Sequence, residues 1–277
     1  MRRSLGVSHL TLLSLTPPEL VEIAAAAGYD FVGIRVRAVT TTERAFPMRV
    51  GSPMLKETAQ RLHDTGLIVR DIEFLPLTPD VGRDDWLPAL ESGAALGASA
   101  LTITGADPDR ERLLDTLARL TEEAAGYGIR PLLEPISYQP VSRIADAADV
   151  ARRTRAALMI DPLHLQRGGS TLDDVRALEP DLVPVLQLCD APLTEPRAGA
   201  DGRVAALQHE ARADRRIVGE GGLPLAELLA AAPTGIPVSV ETPHATLQST
   251  MTPSAWALRN LRAARTLIER VDADAAA

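Results

Sequence analysis

Four residues in the second half of the chain share one kind of address. Glu134 closes "LLE", Asp161 closes "ALMID", Gln187 sits inside "VPVLQLCD" and Glu241 closes "IPVSVE". Each follows a short apolar run of the kind a buried strand requires. A carboxylate in that place is costly unless a cation or a proton meets it. Adjacent strands lie about 4.8 Å apart, so side chains at one level of neighbouring strands can converge on a point. Three carboxylates that close would repel one another strongly. The set therefore predicts a divalent metal ion, with Glu134, Asp161, Gln187 and Glu241 as ligands. Read singly, each could equally be a helix cap or an ion-pair partner.

The elements that must position these residues alternate along the chain. Strands are predicted at 4–10, 31–36, 67–75, 100–105, 129–135, 157–161, 183–190 and 236–241. Between them lie helices with capping and stop signals. Thr16 precedes Pro17 and Pro18, and Gly28 follows; Ser52 opens a helix that Gly66 ends. In 107–128, Leu113, Leu114, Leu117 and Leu120 share one face at helical spacing. Further helices are predicted at 84–97, with Pro88 near its first turn, at 141–154, near 171–178, at 223–232 and at 252–271. Eight strand–helix units with no domain-sized break predict a single (β/α)8 barrel over residues 1–277. A doubly wound open sheet is the alternative, weakened by the lack of a Gly-rich phosphate loop after the first strand. The stretch 191–222 reads as a long polar connection near the mouth of the barrel, where loops of that length act as lids or binding loops. Its charged residues, Glu210 among them, read as solvated. The tail 272–277 reads as frayed.

Composition narrows the function. Aromatic residues make up 3% of the 277 and the formal charge is −8, which argues against stacking platforms for single strands and against a nucleic-acid partner. One cysteine, Cys189, allows no internal disulfide and fits a reducing, cytoplasmic setting. No stretch is long and apolar enough for a membrane span. "MRRSLGVSHLTLLSL" reads as a first strand rather than a signal peptide, because Ser, His and Thr interrupt the apolar run.

The segments "LLEP", "MIDPLHLQRGG", "LQLCDAP", "RRIVGEGGLPL" and "VSVETP" resemble the xylose-isomerase-like barrel superfamily of sugar phosphate isomerase/epimerase-like proteins. The opening "LGVSHLTL" and "TPPELVEIAAAAGYDFVGIR" fit its first repeat, so the resemblance runs from about residue 5 to residue 270. It implies that Glu134, Asp161 and Glu241 bind a metal and that Glu134 and Glu241 are the acid/base pair. The family usually has His where this chain has Gln187. An amide oxygen there would make an all-oxygen site, which suits Mn²⁺ or Mg²⁺ better than Zn²⁺ or Co²⁺. The resemblance also places His164, three residues after Asp161, and Arg215 toward the substrate, against the bland readings of a surface histidine and a solvated basic run. His9, Glu73 and His244 sit near the expected mouth and are further substrate-binding candidates. Asp190 reads as a partner of the site or of an arginine. Arg35 and Arg37 end the second strand with either a site or a surface role, and Cys189 reads as a small buried hydrophobe.

The function so implied is metal-dependent isomerisation or epimerisation of a keto-sugar or related polyhydroxylated ketone through an enediolate. The same residues could serve a lyase or dehydratase, of the inosose- or dehydroshikimate-dehydratase kind or cleaving a C-glycoside. A non-catalytic barrel that binds a small ligand is the third alternative. The expected partners are a small polyol-like substrate and further copies of the chain, as a dimer or tetramer.

Overall fold

Short apolar runs rich in Val, Ile and Leu pair side by side here because both faces of each can be buried. In the computed structural model, which describes residues 3–40 and 43–275, eight such runs form a closed parallel barrel. They are β1 (Leu5–Val7), β2 (Phe31–Arg35), β3 (Ile68–Leu77), β4 (Ala100–Gly105), β5 (Arg130–Glu134), β6 (Ala157–Ile160), β7 (Val185–Leu188) and β8 (Val238–Val240). Each pairs with the next in sequence, and β8 closes on β1 through Leu5–Val238 and Val7–Val240. The fold is a single (β/α)8 barrel.

The helices start and stop where the chain tells them to. Helix α1 (Pro17–Ala27) begins with Glu19 accepting the Thr16 N–H at 2.7 Å and ends at Gly28, whose φ of 97° a side chain would resist. Helices α2 (Pro53–Thr65), α3 (Arg83–Ala95), α4 (Arg110–Ala125) and α5 (Ile144–Thr154) follow, then the short α6 (Pro162–Gly168) and α7 (Leu172–Arg176). Next come α8 (Gly202–Ala213), α9 (Leu225–Ala231), α10 (Ala245–Gln248) and α11 (Pro253–Asp274). Their apolar stripes pack on the outside of the barrel to form the main core. Inside the barrel, toward the N-terminal ends of the strands, Phe31, Leu132, Met159 and Val185 form a separate buried plug with Ala100 and Ala157. A Cβ at Gly6 would lie 2.2 Å from the Phe31 ring, so the plug needs a glycine there. The plug fills the lower half of the barrel and leaves the upper half for chemistry. Among the described residues no helix is long and apolar enough to cross a membrane.

The structure corrects several expected boundaries. The first strand ends at Val7, because Ser8 turns the chain into a short 3-10 turn over His9–Leu12 and caps it. The seventh strand covers only Val185–Leu188 of the expected 183–190, and the third extends to Leu77. The connection 191–222 is not one long loop: α8 occupies its centre. That helix buries little beyond Leu207, Glu210 and Ala211, too narrow a stripe to show as a period in the sequence. Glu210 is not solvated; it pairs with Arg167 at 2.8 Å with both side chains buried. Arg167 also donates to the carbonyls of Pro192 and Leu193, which ties this connection to α6. The last helix runs on to Asp274, beyond the expected end at 271, with Arg3 gripping Asp272 at 3.0 Å. Residues 276 and 277 lie outside the described residues.

Candidate active site and metal centre

The site sits where β5, β6, β7 and β8 end. Glu134 is the last residue of β5, Asp161 and Glu241 each follow their strand by one position, and Gln187 lies within β7. Glu134, Asp161 and Glu241 each offer an oxygen within 4.8 Å of the others, and all three are buried. Asp161 caps α6: its Oδ1 accepts the N–H groups of Leu163 at 2.7 Å and His164 at 3.1 Å. That cap aims the other oxygen at the cluster.

Arg215 is the cation of the cluster. It is 1% exposed, and its Nη1 donates to Asp161 Oδ2 at 2.5 Å while Nη2 lies 3.0 Å from Glu241 Oε2. Its Nε donates to the Ala211 carbonyl at 2.7 Å, so the α8 terminus fixes the guanidinium. Glu241 Oε1 in turn accepts from Ser8 Oγ at 2.7 Å and from Gln187 Nε2 at 3.0 Å. Gln187 thus turns its nitrogen to Glu241, and among the described residues its buried Oε1 has no hydrogen-bond partner.

These features decide whether the residues fit a metal ion. With three carboxylates ionised, one guanidinium leaves two negative charges uncovered, which is the charge of one divalent cation. Burial, and then the charges of Glu241 and Asp161, push Glu134 well above the usual carboxylate range. Burial also works to raise Asp161, but Arg215 and the His164 backbone N–H hold it below its ordinary value. An orphaned amide oxygen beside an uncompensated carboxylate cluster suits a hard cation. The residues fit: Glu134, Asp161, Glu241 and the Gln187 oxygen could hold it.

His164 lies across Glu134, its Nε2 3.8 Å from Glu134 Oε1. Its Nδ1 is 3.2 Å from Ser137 Oγ, and the ring meets Tyr138 edge-on at 5.6 Å. Burial lowers the imidazole to about 4, so it is neutral at ordinary pH. Cys189 is fully buried 3.4 Å from Arg215; burial, then Asp161, push its thiol up, so it is not poised as a nucleophile.

Glu134, His164, Gln187, Arg215 and Glu241 line one cavity, and Glu73 of β3 lines it as well. Glu73 is pushed up to about 8, chiefly by burial, and its Oε1 accepts the His9 N–H at 3.1 Å. Two other candidates lie elsewhere. His9 is not among the cavity's lining residues. Its Nε2 lies 3.0 Å from the Leu15 carbonyl, its Nδ1 accepts the Arg35 N–H at 3.0 Å, and the ring stacks on Phe46. His244 caps α10 and packs against Trp256, with Asp214 3.7 Å away. Among the described residues the Asp190 side chain pairs with no arginine. Its carboxylate accepts the N–H groups of Ala191, Gly219, Gly221 and Leu223, and a Cβ at Gly221 would lie 2.2 Å from Asp190 Oδ1, so that position of "IVGEGGL" needs a glycine.

Sequence reading missed Ser8, Asp71, Glu43 and Tyr138. Ser8 was hidden inside an expected strand. Asp71 had a signal: it is two residues before Glu73, so both side chains leave β3 on one side. It accepts Thr102 Oγ1 at 2.8 Å and is pushed up to about 6, chiefly by burial.

Comparison with known proteins agrees with this architecture. The protein IolI with a bound zinc atom superposes with a TM-score of 0.76 at 17% identity, over 97% of this chain and 99% of that one. D-allulose 3-epimerase from Methylomonas sp. gives 0.67 at 17% identity, over 96% and 98% of the two chains. The probable 3-DHS dehydratase AsbF from Bacillus anthracis gives 0.69 at 12%, over 94% and 97%. No curated protein matches the sequence. At such identities the likeness shows the fold alone, but the family model described as xylose isomerase-like TIM barrel matches residues 21–267. A parallel barrel with buried acids at its strand ends and a match over that span lead to one conclusion: the chain belongs to the xylose isomerase-like TIM barrel family.

Proposed function

We propose that the protein is a divalent-metal-dependent isomerase or epimerase of a keto-sugar or related polyhydroxylated ketone, with Mn²⁺ or Mg²⁺ as the ion. The observation that carries this reading is the buried Glu134–Asp161–Glu241 cluster, whose two glutamates line the cavity together with Gln187. A bound divalent ion would supply the positive charge that acidifies a proton next to a ketone. The protein's own groups do the rest. Glu134 takes and returns a proton at its carboxylate. Glu241, fixed by Ser8, Gln187 and Arg215, takes the complementary role. Such acid–base work is worth about 10²–10⁴ in rate. His164 orients Glu134 and the substrate from the β6 side.

The similarity to both an epimerase and a probable dehydratase structure supports a second reading, in which the same pair expels a β-hydroxyl and the protein is a lyase. The test is a screen of ketohexoses, inososes and dehydroshikimate with Mn²⁺, read by mass spectrometry. Isobaric conversion is expected. Loss of one water would establish the lyase instead, and no conversion of any compound would overturn both.

A further inference from the structure

The cavity has a second polar group on the β2 and β3 side of the barrel, whereas the carboxylate cluster stands at the ends of β5, β6 and β8. Arg35, the last residue of β2, is 6% exposed, with its guanidinium over the Phe74 ring at 5.6 Å. Its Nε lies 3.4 Å from Glu43 Oε1 and 3.8 Å from Glu73 Oε2. Both carboxylates are pinned by their other oxygen: Glu43 Oε2 accepts the Val39 N–H at 3.2 Å and Glu73 Oε1 accepts that of His9. Among the described residues, Arg35 Nε, Arg35 Nη1, Glu43 Oε1 and Glu73 Oε2 are all buried without a hydrogen-bond partner. All three residues line the same cavity as Glu134 and Glu241.

The Arg35 donors meet Glu43 and Glu73 only at ion-pair distance, and burial pushes Glu73 up to about 8, so at neutral pH its carboxyl carries a proton and the group as a whole offers both donors and acceptors. A hydroxyl accepts one hydrogen bond and donates another, so hydroxyls match both kinds of group at once. A carboxylate or phosphate would meet the Arg35 donors but lie against the Glu43 carboxylate that already faces them. An ammonium would do the reverse. The same cavity is also lined by Leu10, Leu13, Val39, Ile136 and the Tyr138 ring, which suit the C–H faces of a polyol.

We propose that Arg35, Glu43 and Glu73 form a distal subsite that grips the hydroxyls at the non-reacting end of a neutral polyhydroxylated substrate and rejects substrates with an anionic end. The inference rests on the proposed reading of the site and narrows its substrate class. It makes Arg35 and Glu43 specificity-determining residues rather than parts of the proton-transfer pair.

The experiment is calorimetric titration of the Mn²⁺-loaded protein with neutral ketohexoses, their 6-deoxy forms, their 6-phosphates and dehydroshikimate. The wild type is expected to bind at least one neutral ketohexose about tenfold or more tightly than its 6-phosphate and its 6-deoxy form. Arg35→Met should weaken the neutral sugar by about tenfold or more while Mn²⁺ affinity, titrated separately, stays unchanged. Glu43→Gln, which keeps the shape and removes a charge, should narrow the gap between the sugar and its phosphate, and it carries the test should Arg35→Met fail to fold. A phosphate or acid that binds more tightly than the neutral sugar overturns the subsite and leaves the metal-site reading standing, as does an unchanged profile in both variants. Binding of no compound in the panel by the wild type overturns the proposed function and the subsite with it.

Discussion

Arg215 and Glu134 act on the cluster with opposite signs. Arg215 gives its guanidinium nitrogens to Asp161, Glu241 and the Ala211 carbonyl, so it is the internal counter-ion of the cluster. Removing one partner of a fully buried ion pair costs about 3–5 kcal/mol, because the other is left uncompensated. Arg215→Met should therefore melt well below wild type in chelator. Saturating Mn²⁺ should restore more stability to the variant than it adds to wild type, since the ion replaces the missing charge. Glu134→Gln should do the reverse. Without metal it removes a carboxylate that burial and its neighbours disfavour, so the variant should melt at or above wild type. With Mn²⁺ it should show a smaller shift and little turnover, because a ligand and a proton carrier are gone. Thermal melts of the three proteins with chelator and with Mn²⁺ check both expectations.

At the scale of elements, the turns that leave the strands set the site more than the strands do. The His9–Leu12 turn places a neutral imidazole between the Leu15 carbonyl and the Arg35 N–H, which fixes the end of β2 and with it the root of the Arg35 side chain. Burial lowers His9 from 6.5 to about 4. Between those values the unfolded chain takes up a proton that the folded chain refuses, so this contribution to stability is present above about 6.5 and falls as pH drops toward 4. Each such proton is worth about 1.4 kcal/mol per pH unit. His9→Gln should flatten the fall in melting temperature across that window relative to wild type, and melting curves from pH 4 to 7 measure it. The Asp190 clamp does similar work on the other side. By gathering four backbone N–H groups it folds 217–223 against β7, and the Arg216 N–H donates to the Asp190 carbonyl beside it. Arg215 is held in register by the same contact.

The whole molecule is closed by β8 pairing with β1, and the site is assembled across that seam. Ser8, at the end of β1, donates to Glu241, at the end of β8, although the two are 233 positions apart in the chain. Thr11 crosses the same seam to the Val240 carbonyl at 3.0 Å. The contacts that close the barrel thus also help to position Glu241. Ser8→Ala should lower global stability by about 1 kcal/mol, the usual net worth of such a hydrogen bond. It should also weaken Mn²⁺ binding, because Glu241 loses one of the donors that aim it. Denaturant unfolding and Mn²⁺ titration of the variant read the two effects, and a loss of stability without a loss of affinity would separate closure from the site.

By itself the sequence determined the alternation of eight buried strands with capped helices, since each apolar run and each cap is a local signal. It also determined which residues could reach a common point: Glu134, Asp161, Gln187 and Glu241 each stand at one level of a strand, and the closed barrel brings that level together. The tertiary structure decided what each polar group faces. Arg215 lies against the carboxylates, His9 and His244 are held by backbone and packing away from the cavity, and Glu210 is buried on Arg167. It alone showed Ser8 beneath Glu241 and Arg35 between Glu43 and Glu73. Those pairings join segments far apart in the chain. No local period or spacing encodes them, and only the closure and radius of the barrel bring their side chains within a hydrogen bond's reach.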